Sequence, residues 1–515
     1  MRKKKLLCGL LTTALCAGML VGCGDNAEKT PEGDKQQEED KNKGNDDEGK
    51  KPEGEQTPSS SGEQDKETQG VSDERYQTSG KVVVAVSSGL GADFRQLLKK
   101  FNSYYPNIEV ETVEYETSTS EYLTAQASTG QMPDVVLDDA DKFYYYVSQG
   151  WVYPLTEFVK NDEDFGFIPE NIVADYTYLD ELYAVPEEVH FNCVFMNQDL
   201  LDTLNLDLPE LDWNTDDYKN LLKSATTSQY SGSEILWSVD EFLAGSMSKY
   251  GYYGFDPSTM TFHMAESWAD AVNVMIELRA YPGLEAWSLR NTSPDIESSD
   301  YVAKFGNGNT DDNHMALKLG KVLTDPRGTW DIGWLTTDCN FNWCMWPWPS
   351  ESGGRLPMHV NCSFVVSTAQ DPQAAFEFVR FMSYSKEGNL ERIAIYEQGD
   401  TDDYTLGSKF YIPATNQPDV TERWKSLSGV DEAIAYMHDS MKTSFRADLS
   451  KLIPGWEQVN SEYLSPRGNE VRDSIADAPS VAAELDTVAT KAILTYWDDF
   501  TEKLTAVQEA FKQNH

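Results

Sequence analysis

Tryptophan is concentrated in one short stretch of this chain. Five of the 13 tryptophans fall between Trp330 and Trp348, among glycines and prolines. A tryptophan ring has a broad apolar face, and its N–H group needs a hydrogen-bond partner when it is buried. Such a face fits the C–H face of a sugar ring, whose hydroxyl groups bind polar side chains. We therefore expect residues 328–348 to carry a sugar-stacking surface beside a hinge. The alternative is that the tryptophans from Trp343 to Trp348 only cover a sheet.

Alternating strands and helices precede this stretch. The expected order is strand, helix, strand, helix, strand, over residues 81–86, 92–104, 108–115, 121–128 and 134–137. This order is typical of an α/β fold with a parallel sheet, in which ligands bind beyond the carboxyl ends of the strands. Polar residues that stand at those ends are candidate ligand contacts: Ser87, Ser88, Glu116, Asp138 and Asp141.

The middle of the chain, residues 230–309, is rich in serine, glycine and aromatic residues. Apolar spacing predicts a helix over 266–281 and long loops elsewhere. A short apolar run at 315–320 favours a strand that leads into the tryptophan-rich stretch. We expect the middle region to shape ligand specificity.

The first 80 residues have the composition of a signal peptide followed by a linker. A basic start precedes an apolar run, over residues 6–21, that is too short for a permanent membrane helix. The run ends at Cys23 in a pattern that resembles the bacterial lipobox, so we expect a signal peptide over 1–22 and lipid on Cys23. Residues 23–80 contain few apolar residues, which predicts a disordered acidic linker. The protein is therefore expected on the outer face of the cell membrane, most simply that of a Gram-positive bacterium.

Length and charge limit the choice of fold and partner. The chain has 515 residues and a formal net charge of −44. The residues after the linker are too many for one core, so two lobes are expected. The negative charge makes nucleic acid and anionic lipid poor partners.

Four of the seven cysteines remain after the signal and the lipidated residue are set aside. Cys339 and Cys344 could form a disulfide in an oxidising exterior. A zinc site that combines them with His359 and Cys362 is an alternative, although the spacing fits no common template.

Several segments follow one another in the order found in a known family: 101–110, 127–136, 150–155, 182–186, 195–200, 213–218 and 374–382. On these segments the chain resembles the bacterial extracellular solute-binding proteins, the family of maltose-binding protein. The resemblance covers about residues 81 to 500. It implies a two-lobed α/β fold of the type II periplasmic-binding class with three hinge crossings. It also implies a monomeric receptor for an ABC importer, with separate permease subunits, no catalysis and no cofactor.

The resemblance divides the folded part into two lobes, each made from two segments. The first lobe is expected over 81–187 and 340–445, and the second over 188–339 and 446–515. A ligand would lie between the lobes, which close on it.

The resemblance also indicates which residues contact the ligand. Trp330 occupies the place of a stacking tryptophan after a Gly-x motif, and Trp456 follows a Pro-Gly pair as a second aromatic does in the family. His190 stands at the polar hinge position, although a satisfied histidine between the lobes is the alternative. Asp138 replaces an aromatic residue of the maltose binder, which argues against maltose itself. The full set of predicted contacts is Trp330, Trp456, Asp141, Lys142, His190, Asp138, Glu116, Ser88, Asn361 and Trp346.

Three other functions remain open from the sequence. A surface glycoside hydrolase would need two carboxylates on either side of the scissile bond. A binding protein for a polyamine, a peptide or another cation would use the negative charge, and its affinity would fall with salt. A purely adhesive protein would show no stabilisation by small ligands.

Overall fold

The computed structural model describes residues 74–138, 140–306, 315–351 and 354–514. The predicted signal peptide, Cys23 and nearly all of the predicted linker lie outside these residues. The strands of the described part are β1 (Gly80–Ser87), β2 (Ile108–Tyr115), β3 (Val135–Asp138), β4 (Thr177–Tyr178), β5 (Glu181–Leu182), β6 (Val185–Asn197), β7 (Ser231–Ser233), β8 (Phe255–Asp256), β9 (Thr261–Phe262), β10 (Val322–Gly328), β11 (Trp343–Trp346), β12 (Pro357–Val365) and β13 (Phe445–Arg446).

Helices cover much of the remaining described chain. They are α1 (Ala92–Tyr104), α2 (Thr119–Thr129), α3 (Phe143–Ser148), α4 (Thr156–Val159), α5 (Glu170–Asp175), α6 (Gln198–Leu204), α7 (Thr215–Ala225), α8 (Val239–Ser246), α9 (Trp268–Ala280), α10 (Asp300–Phe305), α11 (Met315–Lys318), α12 (Ile332–Asp338), α13 (Pro372–Met382), α14 (Lys386–Gln398), α15 (Pro418–Trp424), α16 (Glu432–Asp439), α17 (Trp456–Val459), α18 (Ser465–Arg472) and α19 (Ala478–Asn514).

A mixed sheet in the order β2-β1-β3-β12-β6-β10-β7 organises the fold. Strands β2, β1 and β3 run parallel, as their order along the chain predicts. Strand β6 joins the two parts of the sheet. Its first half pairs with β12, whereas its second half pairs with β10 and β11. The fold is thus α/β, as expected, with an antiparallel junction at its centre.

Local sequence explains the first helices. Helix α1 buries one face, which includes Phe94, Leu97 and Phe101, at the spacing expected of an amphipathic helix. Helix α2 begins at Ser118, whose hydroxyl accepts a hydrogen bond from the backbone N–H of Glu121. These helices and the three parallel strands confirm the elements predicted for residues 81–137.

The prediction of a strand over 315–320 is wrong. Residues Met315–Lys318 form a single helical turn, and the strand begins only at Val322. Met, Ala, Leu and Lys all favour helix, and Gly320 reverses the chain with φ +65° before the strand starts. The predicted helix over 266–281 is confirmed as α9.

The disulfide that the sequence allows between Cys339 and Cys344 is not present in the structure. Both residues are free and buried, as are Cys193 and Cys362. Cys339 ends α12, whereas Cys344 is held in β11 opposite Met196. No group of three or more metal-binding side chains occurs among the described residues, and so the alternative zinc site is not formed there. No described helix is long and apolar enough to cross a membrane.

The last helix contacts two separate parts of the fold. Helix α19 has 37 residues. In its first half, Asp486 accepts hydrogen bonds from the backbone that leads into α9, at Met264 and Ala265. In its second half, the Gln508 amide donates to the hydroxyl of Tyr183, just before β6.

Candidate functional site

A cavity of about 440 Å³ lies where β1, β6, β10 and β12 come together. Its walls combine aromatic rings, carboxylates and one guanidinium. The lining residues are Ser87, Gly89, Leu90, Gly91, Asp93, Phe94, Glu187, Glu188, His190, Thr329, Trp330, Ile332, Gly333, Asn361, Arg392, Tyr396, Gly407, Ser408, Phe410, Tyr411 and Ile412. The structure therefore brings together four of the candidate contacts: Ser87, Trp330, His190 and Asn361.

Trp330 presents an aromatic ring to this cavity. The residue is 47% exposed, although it packs edge-on against His190 and His359 with ring centroids 5.9 and 4.8 Å apart. Its ring folds back over Gly328, where a Cβ atom would lie 2.2 Å from it. The Gly-x-Trp spacing thus has a steric cause, since any larger residue at 328 would displace the ring.

His190 is held between two polar partners. Its Nδ1 atom lies 3.2 Å from the Thr329 hydroxyl, and its Nε2 atom lies 3.1 Å from Oε1 of Glu188. Thr329 also accepts a hydrogen bond from the backbone N–H of Phe191. These contacts fix the imidazole beside the Trp330 ring.

Glu188 is a charged acceptor in the cavity wall. Burial alone would raise the pKa of its carboxyl, but the Arg392 charge and the His190 hydrogen bond hold that pKa well below its ordinary value. A carboxylate that stays ionised accepts stronger hydrogen bonds than a neutral group does.

Arg392 links three elements around the cavity. Its Nε atom donates to Asp93 of α1 at 2.7 Å, and its Nη2 atom donates to Glu188 of β6 at 2.7 Å. The guanidinium also lies over the Tyr411 ring, 4.1 Å from the centroid. Burial would lower the pKa of Arg392, but the two carboxylates raise it well above its ordinary value.

Sequence reasoning did not find these charged residues, although part of the signal was present. Glu187 and Glu188 are consecutive acidic residues inside a largely buried strand, which is unusual. No comparable signal marks Arg392, because a lone arginine in a helix is ordinary.

Three predicted contacts lie together outside the cavity walls. Asp141 accepts hydrogen bonds from the backbone and hydroxyl of Ser120, and its neighbour Lys142 pairs with Glu457 at 3.4 Å. Trp456, next to Glu457, is only 5% exposed because it packs among the aromatic rings of Tyr252, Phe255 and Phe262.

The remaining predicted contacts are scattered. Trp346 is 4% exposed in β11, so it offers no face to a solute and belongs to the interior. Ser88 and Glu116 are exposed and are not among the lining residues, although Ser88 directly follows the lining residue Ser87. The side chain of Asp138 lies outside the described part, although its backbone pairs with Cys362.

Sequence comparison identifies the family. A family model described as bacterial extracellular solute-binding protein matches residues 96–398. The chain belongs to this family. The resemblance that the sequence motifs indicate is therefore confirmed.

Solved structures of solute-binding proteins share the fold. The ABC substrate-binding protein Lmo0181 from Listeria monocytogenes is 16% identical, with a TM-score of 0.56 over 80% of this chain and 99% of that one. The GacH receptor of Streptomyces glaucescens is 17% identical, with a TM-score of 0.57 over 82% and 100%. The sugar-binding protein MalE from Xanthomonas citri is 13% identical, with a TM-score of 0.57 over 84% and 100%. The fold is that of the two-lobed type II solute-binding proteins.

Proposed function

We propose that this solute-binding protein is the membrane-anchored receptor of an ABC importer and that it captures a carbohydrate, most simply an oligosaccharide. One observation carries the proposal: the exposed ring of Trp330 faces a cavity whose other walls hold carboxylates, a guanidinium and an imidazole. An aromatic face beside charged hydrogen-bonding groups fits a ligand with both C–H faces and hydroxyl groups.

The related structures support this ligand class. Lmo0181 was solved in complex with cycloalternan, and GacH in complex with acarbose. These are ligands of the two related proteins. The cavity of this protein has an aromatic ring and polar side chains of the kinds that could bind a similar ligand.

The proposed mechanism is capture by closure, without chemistry on the ligand. The lobes would comprise 81–187 with 340–445, and 188–339 with 446–515. Strand β6 would connect them, since its first half pairs with β12 and its second half pairs with β10. The closed form would be recognised by permease subunits, while lipid on Cys23 would hold the monomeric receptor at the outer face of the cell membrane.

A thermal-shift screen of the purified protein tests the proposal. Mono- and oligosaccharides are compared with polyamines and peptides, and a ligand at 100 times its Kd adds about 2.7 kcal/mol of stability. We expect a sugar to raise Tm in the wild type and not in Trp330→Ala. Tyr281→Ala is the control, because Tyr281 is 38% exposed and is not a lining residue.

Other outcomes would assign a different function. A shift with polyamines or peptides alone, weakened by salt, would favour a cationic ligand. Shortened oligosaccharides after incubation would indicate a hydrolase. No shift with any compound would contradict a receptor for these solutes.

A further inference from the structure

We propose that Arg392 donates a hydrogen bond to the bound sugar through Nη1, and that the site therefore selects a neutral oxygen acceptor over a charged group at that position. This inference rests on the proposed carbohydrate ligand. It adds a contact that neither the motifs nor the strand ends indicated.

Two edges of the guanidinium are already occupied. The Nε and Nη2 atoms bind the carboxylates of Asp93 and Glu188, both at 2.7 Å. One face of the guanidinium lies over the Tyr411 ring at 4.1 Å, and the Phe94 ring lies 5.2 Å away. These contacts fix the plane and rotation of the group, because an arginine presents its five N–H donors in a rigid fork.

The remaining edge, Nη1, has no hydrogen-bond partner among the described residues. Arg392 is only 5% exposed, yet it lines the cavity. A hydrogen bond from a charged donor is stronger than one between two neutral groups. A ligand oxygen at Nη1 would therefore accept a strong hydrogen bond from a donor whose direction is already fixed.

The charges around Nη1 determine which oxygen fits. Asp93, Glu187 and Glu188 line the same cavity, against the single guanidinium of Arg392. The imidazole of His190 also lines the cavity, but its Nε2 atom is already within hydrogen-bond distance of Glu188. An anionic group on the ligand would meet an excess of carboxylates, and an ammonium placed at Nη1 would meet the guanidinium. A neutral hydroxyl or ring oxygen avoids both repulsions.

Calorimetric titration with analogues of the best neutral sugar tests this inference. Each hydroxyl is replaced in turn by hydrogen, and the uronic acid and amino forms of the same sugar are included. We expect one deoxy analogue to bind the wild type at least about tenfold more weakly, a change of about 1.4 kcal/mol. The uronic acid and the amino form with its ammonium at that position should also bind at least about tenfold more weakly.

Arg392→Lys supplies the second half of the test. Lysine keeps the charge but cannot span both carboxylates and still present a fixed donor. The variant should bind the parent sugar more weakly than the wild type does. It should bind the deoxy analogue that lacks the proposed Arg392 contact about as tightly as it binds the parent sugar. Arg423→Lys is the matched control, because Arg423 pairs with Glu397 on the surface, away from the cavity.

The outcomes separate this inference from the proposed function. Two outcomes would overturn the role of Arg392 and leave the protein as a sugar receptor. In the first, Arg392→Lys binds every analogue as tightly as the wild type does. In the second, the wild type binds the uronic acid as tightly as the neutral sugar. If no sugar binds the wild type, the proposed function fails and the inference fails with it. If the variant does not fold, the affinity of the wild type for the uronic acid can still overturn the inference.

Discussion

Replacing Glu234 by glutamine should make the protein more stable at neutral and alkaline pH. Glu234 follows β7 and is completely buried. Its Oε2 atom accepts a hydrogen bond from the backbone N–H of Leu317 at 2.6 Å. Burial, followed by the nearby Asp325 carboxylate, raises the pKa of Glu234 to about 8. The folded protein therefore holds a proton that the unfolded chain releases at a much lower pH.

The sign of the effect follows from proton linkage. Between the ordinary glutamate pKa of 4.5 and the folded value of about 8, the folded state binds more protons than the unfolded state. Stability from this group therefore falls as pH rises through that window, by about 1.4 kcal/mol per pH unit. The full loss reaches roughly 5 kcal/mol above pH 8, a large part of a typical free energy of unfolding of about 5–15 kcal/mol. Glutamine keeps the acceptor for Leu317 and has no proton to lose.

Urea unfolding at several pH values between 5 and 9 measures this effect. The free energy of unfolding of Glu234→Gln, minus that of the wild type, should increase with pH and level off above about pH 8. Glu422→Gln is the control, since Glu422 is exposed, and its difference should stay flat. A difference for Glu234→Gln that does not change with pH would refute the reasoning.

Three further changes test the site and the fold. Gly328→Ala should weaken ligand binding in calorimetry about as much as Trp330→Ala does, because a Cβ atom would displace the ring; unchanged affinity would contradict this. Ser118→Ala should lower the free energy of unfolding, measured in urea, by about 1 kcal/mol because the N-terminal cap of α2 is lost. An unchanged free energy of unfolding would show that this cap does not stabilise the protein. Arg392→Met should lower the free energy of unfolding by about 3–5 kcal/mol, because it leaves the buried Asp93 and the partly buried Glu188 without their charged partner. The surface variant Arg423→Met should lower it by under about 1 kcal/mol, and equal losses in urea would count against the charged cluster.

The sequence predicted best where local pattern determines structure. Helix α1 and strand β2 have the bounds that apolar spacing and the Pro106 turn indicate. The 315–320 run shows the limit of that signal, because four apolar or long side chains fit a helical turn as well as a short strand. Length alone did not distinguish the two.

Tertiary pairing explains what the sequence could not show about the site. The charged cluster joins Asp93, Glu188 and Arg392, which lie far apart in the chain. Their proximity depends on how β6 and α14 are placed, and no spacing records it. Composition likewise marked the tryptophan cluster but not the direction of each ring. As a result Trp330 lies in the cavity and Trp346 in the interior.

Helix α19 has a mechanical consequence for any opening of the cavity. It has no glycine or proline after Pro479, and its 37 residues span about 55 Å. One end is fixed near Met264 and the other near Tyr183. The continuous helix therefore links these two regions over a fixed distance. Any movement that separates them has to break these contacts or bend the helix.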